Sequence, residues 1–244
     1  IKMEFERINC SKEQNSQDKF LEKMYKSEAG KLLLKFLTSK AVSEIGGRFM
    51  DSPLSVPAIK PFIEKNNIDM SQYEDKKYKS YNDFFTRRIK EGKRPFDKSD
   101  SILMAPADSK LTYYPINEET ILEIKDTKYQ LKDLLQDQQL ANEYDGGVCL
   151  VFRLAVDDYH RYSYVDDGQI VGHKKIKGIF HTVNPIANDY YPIYKMNSRE
   201  YTVIDSKNFG KMIQMEVGAM MVGKIVNYNH QIASKGKEKG YFEF

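Results

Sequence analysis

The apolar pattern of the chain changes period at Val148, and that change limits the fold more than any other feature. Upstream, Phe20, Leu21, Met24, Tyr25, Leu32, Leu33, Phe36, Leu37, Ala41 and Ile45 recur near helical spacing. Lys19, Lys23, Lys26, Lys31, Lys35 and Lys40 fall largely between them, and Gly46-Gly47 is the expected stop. Downstream, the apolar run VCLVFRLAV (148–156) has the character of a strand buried on both faces. Strand-like pieces follow near 169–172, 178–183, 201–205, 211–217 and 220–228, separated by Asp-Gly, Asn-Pro, Asn-Phe-Gly and Val-Gly turns. Between the two regimes lie Pro53, Pro57 and Pro61, some short helical patches, and a segment at 129–140 that reads as one short helix. The expectation is an α+β fold: a helical N-terminal region over 1–80, then a β-rich core over 81–244.

Composition narrows what such a chain does. With 244 residues, 41% of them hydrophobic, and with 13 Phe and 17 Tyr, it can bury a real core and is not a disordered segment. The longest aliphatic run is Leu32-Leu33-Leu34, far short of the roughly 20 apolar residues of a spanning helix. A net charge of +3 is too balanced for nucleic-acid binding to lead. Cys10 and Cys149 lie far apart without CxxC spacing, which argues against a disulfide framework and fits a reducing compartment. The four histidines, His160, His173, His181 and His230, show no HxxH or HxxxH spacing, so no helix-borne metal site is expected. GxSxG, Walker and GxGxxG motifs are absent.

Three pieces carry candidate chemistry. Asp157-Asp158-Tyr159-His160-Arg161 follows the apolar run, so a carboxylate stands two residues from an imidazole at a strand end. Asp108 follows a rigid X-Pro step in Ala105-Pro106-Ala107-Asp108. Gly218 and Gly223 bracket Ala-Met-Met-Val, where glycine permits a bulge or close backbone approach. Each alone also fits an ordinary turn or tight packing. The lysine-flanked stripe at 19–45 likewise fits either an amphipathic helix packed on its own core or one lying on an anionic membrane surface.

In order along the chain, FFTRRIK (84–90), RPFD (94–97), APADSK (105–110), DYHR (158–161), GIFHTVNP (178–185), NSREY (197–201), VGAMMVGKI (217–225) and KGKEKGYFEF (235–244) resemble phosphatidylserine decarboxylase. Eight ordered motifs are far more specific than any one. The resemblance implies a proenzyme that cuts itself at a Gly-Ser bond directly after a Phe-x-Phe strand, which places the cleavage site immediately C-terminal to Phe244. This chain then resembles the β chain of a processed enzyme, or a stretch lacking the C-terminal part, and the implied partner is a short α chain carrying a covalent pyruvoyl cofactor made from the serine. The implied reaction converts phosphatidylserine to phosphatidylethanolamine and CO2 through a Schiff base on that pyruvoyl group.

The resemblance also assigns residues. Asp108 matches the aspartate that serves self-cleavage, and His160 matches the DYHR histidine used in decarboxylation. Where many members carry a second histidine, in DYHRxH, this chain has Ser163, whereas His181 stands where many have Ser. The base role therefore passes to His160 or His181. Ser109 replaces the usual Gly of PADG. Arg87 and Arg88 are candidates for pairing with the lipid phosphate or carboxylate, or for structural salt bridges. A lipid substrate turns the stripe at 19–45 into a membrane-contact candidate and implies a peripheral protein on the cytoplasmic face, commonly a homodimer. The alternatives are a decarboxylase of a related serine-headed lipid and a non-catalytic membrane-associated protein of the same fold.

Overall fold

The computed structural model describes residues 26, 27, 30, 40–117, 122–124, 127–179 and 193–244. Most of the lysine-flanked stripe, the expected strand end at 180–183, Cys10 and His181 lie outside them. No helix among the described residues is long and apolar enough to cross a membrane. The fold is α+β, as expected.

Helix α1 (Lys40–Asp51) leads through a 3-10 segment at Pro53–Ala58 into α2 (Ile59–Lys65) and α3 (Tyr81–Phe85). Gly46-Gly47 does not stop α1, which runs on to Asp51 ahead of Pro53. The two glycines instead form a contact face. A Cβ on Gly46 would stand 2.8 Å from Met221 Cε, and one on Gly47 would stand 3.3 Å from the Phe244 carbonyl carbon and oxygen. Ser80 caps α3 by accepting the Asp83 N–H. The buried Ile59, Tyr81, Phe84 and Phe85 then form one core cluster with Met50, Phe62, Val222 and Phe244, drawing on both sides of position 80.

Strand β1 (Lys110–Pro115), the small hairpin β2 (Leu122–Ile124) and β3 (Thr127–Tyr129), then α4 (Leu131–Leu135) and α5 (Gln138–Asn142) come next. The single helix expected at 129–140 is broken in two. Gln136 takes a left-handed conformation (φ 48°), and Asp137 caps α5 by accepting the Leu140 N–H at 3.0 Å. Strand β4 (Val148–Arg153) is not buried on both faces. It pairs antiparallel with β1 in a two-stranded ribbon. Cys149 and Val151 turn inward toward Ile116 and Leu134, while Val148 remains 60% exposed. A ribbon with a single packed side shows the period-2 alternation of a half-buried strand, whatever its composition.

The remaining strands are β5 (Arg161–Ser163), β6 (Gly168–Ile176), β7 (Arg199–Ser206), β8 (Gly210–Val217), β9 (Lys224–Asn227), β10 (Ile232–Ala233) and β11 (Glu238–Glu243), with α6 (Ile193–Met196) before β7. They form two antiparallel sheets, ordered β10-β6-β7-β8 and β5-β11-β9. The expected strand at 220–228 begins only at Lys224, because Ala219 and Val222 close a tight turn in which Met221 has a positive φ of 66°. Leu135, Ala141, Ile176, Tyr201 and Val203 fill the space between the α4–α5 pair and the larger sheet.

The pairing of β11 with β5 is irregular. Its register shifts between Glu238 and Gly240, so Lys239 is the extra residue of a bulge. Bulges re-aim side chains, and Lys239 turns inward, 1% exposed, onto Glu216 of β8.

Candidate active site

The centre of the site is His160, the residue just before β5. It is 5% exposed. Its main-chain carbonyl accepts the Phe242 N–H at 2.9 Å, which ties it to β11. Its Nδ1 lies 2.9 Å from the Asp158 carbonyl oxygen. A carbonyl only accepts, so Nδ1 carries the proton and Nε2 keeps a lone pair. Burial, aided by the positive field of Arg87, pulls the imidazole down to about 4, against the opposing pull of the Asp158 carbonyl. His160 is therefore neutral at physiological pH, with the Nε2 lone pair free of a proton.

Phe85 lies against the imidazole with ring centroids 4.1 Å apart and planes tilted by 36°, and it also meets Phe244 edge-on at 4.7 Å. Tyr81 packs edge-on against Phe244 at 5.6 Å. The Phe244 N–H donates to Asn82 Oδ1 at 3.2 Å, and Asn82 Nδ2 donates to Asp51 Oδ1 at 2.7 Å. Residues from α1, α3 and β11 thus converge on the Phe244 backbone, and the Gly47 contact lets that backbone lie against the helix.

Asp108 sits on a segment laced to β5: the Met104 N–H donates to the Val165 carbonyl at 3.1 Å and the Ser163 N–H to the Pro106 carbonyl at 2.9 Å. Its carboxylate is gripped by Arg94, with Nε at 3.1 and 3.0 Å from the two oxygens and Nη2 at 2.7 Å. Among the described residues no hydrogen bond joins Asp108 to His160. The Asp158 carboxyl is raised chiefly by burial, with Asp157 and Asp108 adding to it, while the Ala155 N–H it accepts at 2.6 Å pulls the other way.

The arginines divide by partner. Arg161 Nη1 donates to Glu238 Oε1 at 2.6 Å, and its Nε and Nη2 donate to the Thr86 carbonyl at 2.9 and 2.6 Å. Arg88 Nη1 lies 3.6 Å from Glu238 Oε2. Arg87, 2% exposed, lies between the rings of Tyr73 (4.4 Å) and Phe84 (4.9 Å). Four residues join the site that sequence reasoning does not single out: Arg94, Asn82, Gly47 and Glu238. Arg94 stands inside RPFD, and the Gly46-Gly47 pair is visible in the sequence but reads there as a helix stop.

Comparison with known proteins bears on this site directly. The family model described as phosphatidylserine decarboxylase matches residues 81–244. The chain is 49% identical over 231 residues to a phosphatidylserine decarboxylase proenzyme 2 of Clostridium acetobutylicum, covering 94% of this chain and 78% of the relative. It is 41% identical over 233 residues to a phosphatidylserine decarboxylase proenzyme of Clostridium perfringens strain SM101, covering 93% and 79%. A proenzyme of the same description from Ruminiclostridium cellulolyticum is 40% identical over 239 residues, covering 95% and 80%.

Proposed function

The chain belongs to the phosphatidylserine decarboxylase family, and we propose that it converts phosphatidylserine to phosphatidylethanolamine and CO2 with a pyruvoyl group carried on a separate α chain. The observation that carries this reading is the delivery of the Phe244 backbone by β11 to the Phe85–His160 pair. The pyruvoyl carbonyl supplies an acceptor for the electron pair left behind as CO2 departs. The residues present fit a group held next to Phe244. The missing Cβ of Gly47 makes a cradle for the backbone there, and His160 offers a buried neutral imidazole alongside.

His160 holds its Nδ1 proton on the Asp158 carbonyl and presents Nε2 as the base, the role the histidine of a catalytic triad plays. In self-cleavage Nε2 takes the serine hydroxyl proton. In decarboxylation it orders the head group and excludes water with Phe85. Asp108 is fixed by its Arg94 clamp on the segment beside β5, and is the carboxylate assigned to self-cleavage. On this reading the protein works peripherally at the membrane surface, with the cytoplasmic face as the expected side.

The test uses the product of the complete reading frame. His160→Ala is expected to stay uncut, or to be cut at least tenfold more slowly, while the wild type yields a small chain whose mass shifts on borohydride reduction. His181→Ala distinguishes the second histidine. Normal self-cleavage in both variants overturns the assignment of the base.

A further inference from the structure

The side chain of Arg161 is committed entirely to the protein. It is 8% exposed and begins β5, directly after His160. Its Nε and Nη2 donate to the Thr86 carbonyl at 2.9 and 2.6 Å, and Nε also reaches the Arg87 carbonyl at 3.3 Å. Thr86 is the C-cap of α3, where the last carbonyls lack partners within the helix and a cation is favourable. The third nitrogen, Nη1, donates to Glu238 Oε1 at 2.6 Å, and the guanidinium lies 4.6 Å from the centroid of the Tyr241 ring. Glu238 is held in turn by Tyr228 Oη at 2.8 Å and by Arg88 Nη1 at 3.6 Å.

These partners lie on the elements that meet at the site. Phe85, against the imidazole, ends α3; His160 directly precedes β5; Phe244 directly follows β11. The Glu238 contact also has a particular place in the β5–β11 ladder. Arg161 pairs with Tyr241 and Ser163 with Glu238, on opposite sides of the Lys239 bulge. The Arg161–Glu238 bond therefore runs diagonally across the bulge and fixes how far β11 has advanced past it. A slip of one residue would move the strand by about 3.4 Å and turn its side chains to the opposite face. It would break the bond from the Phe242 N–H to the His160 carbonyl and carry Phe244 away from Phe85.

We propose that Arg161 is the positioning residue of this site: by joining the end of α3, the start of β5 and the bulged strand β11, it sets the spacing of Phe85, His160 and the Phe244 backbone. The proposal rests on the decarboxylase reading above. Every guanidinium nitrogen already donates to a protein acceptor, so Arg161 acts through its neighbours and leaves the reacting atoms to them. Lysine is a poor substitute, because a single ammonium lacks the planar fork that serves the Thr86 carbonyl and the Glu238 carboxylate together.

The test compares Arg161→Met, Arg161→Lys and Glu238→Gln in the product of the complete reading frame. Three quantities are read: the rate of self-cleavage, kcat and KM per borohydride-labelled pyruvoyl group, and amide hydrogen exchange at Phe242 and Phe244 against that of β7. Misplacing reacting groups by about 1 Å costs on the order of a hundredfold, so Arg161→Met should cut itself at least tenfold more slowly. Its processed fraction should lose at least tenfold in kcat, with KM within about threefold. Its Phe242 and Phe244 amides should exchange at least tenfold faster, with those of β7 within about threefold. Arg161→Lys should fall between Arg161→Met and the wild type. Glu238→Gln, whose amide oxygen still accepts from Nη1, should show a smaller version of the same pattern. These two milder variants decide the matter where Arg161→Met does not fold. Faster exchange at Phe242 with self-cleavage and kcat unchanged in an Arg161 variant overturns the proposal, because the clamp then serves the fold alone. Protection lost equally from β7 and β11 overturns it in the same way. A rise in KM at unchanged kcat also overturns it, since Arg161 would then meet the substrate. Exchange needs no turnover, so a wild type that neither cuts itself nor releases CO2 defeats the decarboxylase reading while the clamp on β11 is still measured.

Discussion

Lys239 and Arg87 are both buried cations, 1% and 2% exposed, and the fold treats them in opposite ways. Lys239 Nζ donates to Glu216 Oε2 at 2.6 Å and Asn227 Oδ1 at 2.9 Å. Asn227 Nδ2 donates in turn to Glu200 and Glu216, each at 3.1 Å, and Tyr162 Oη donates to Asn227 Oδ1 at 3.1 Å. The network is closed and ties β5, β7, β8, β9 and β11 together. Arg87 has two long bonds and two empty donors. A buried charge whose partners are built into the sheets belongs to the structure. One with two donors left unpartnered is held by the Tyr73 and Phe84 rings instead, so its burial is only partly offset.

Removing either cation separates the two cases, and the larger effect belongs to Lys239. Lys239→Met leaves Glu216 buried and unpaired, and should cost about 3–5 kcal/mol in urea unfolding. Burial already raises the Glu216 carboxyl, with the ammonium pulling against it, so the variant's Glu216 should take up a proton on folding. Glu216→Leu together with Lys239→Met should recover most of the loss, to within about 1 kcal/mol of the wild type. A double variant as weak as the single one would show that the network does more than satisfy its own charges.

Next in size is the pH dependence. The His160 imidazole is lowered to about 4 in the fold, while the unfolded chain titrates near its ordinary 6.5. The unfolded state therefore binds the extra proton between those values. The associated stability, about 3 kcal/mol, is present above pH 6.5 and is lost as pH falls toward 4. Unfolding of the wild type and of His160→Gln across that window checks it, and the slope should flatten in the variant.

Arg87→Met should change stability by no more than about 1 kcal/mol, since it removes an under-satisfied charge, as urea unfolding would show. A loss comparable to that of Lys239→Met would erase the distinction. The smallest stability effect is expected at Gly47. Alanine gains about 1 kcal/mol of helix propensity but must push the Phe244 carbonyl by a few tenths of an ångström, so stability should barely move while self-cleavage slows. Melting curves and band intensities of the processed chains read the two effects separately.

Some of this is legible in the sequence. The switch of period at Val148, the DYHR turn and the PAD aspartate all stand in short local patterns, and the α+β architecture follows from them. What local pattern does not show depends on residues brought together from afar. The apolar run at 148–156 has the composition of a doubly buried strand, but composition does not reveal how many neighbours a strand has, and β4 has one. The break at Gln136–Asp137 is hidden by a continuous helical period, although Asp137 is a good cap. Gly46-Gly47 resembles a stop because its partners, Met221 and Phe244, lie about 175 to 200 residues downstream. Lys239 and Glu216 give no signal as a pair. A one-residue bulge turns Lys239 inward, and strict alternation cannot anticipate a bulge.

The most direct measurement is product formation by the purified product of the complete reading frame. Incubated with phosphatidylserine in micelles, it should release CO2 and phosphatidylethanolamine in equal amounts, and borohydride treatment of the processed enzyme should abolish both. A fully self-cleaved protein that releases neither product, or that keeps its activity after borohydride, would contradict a pyruvoyl-dependent decarboxylase built around Phe244 and His160.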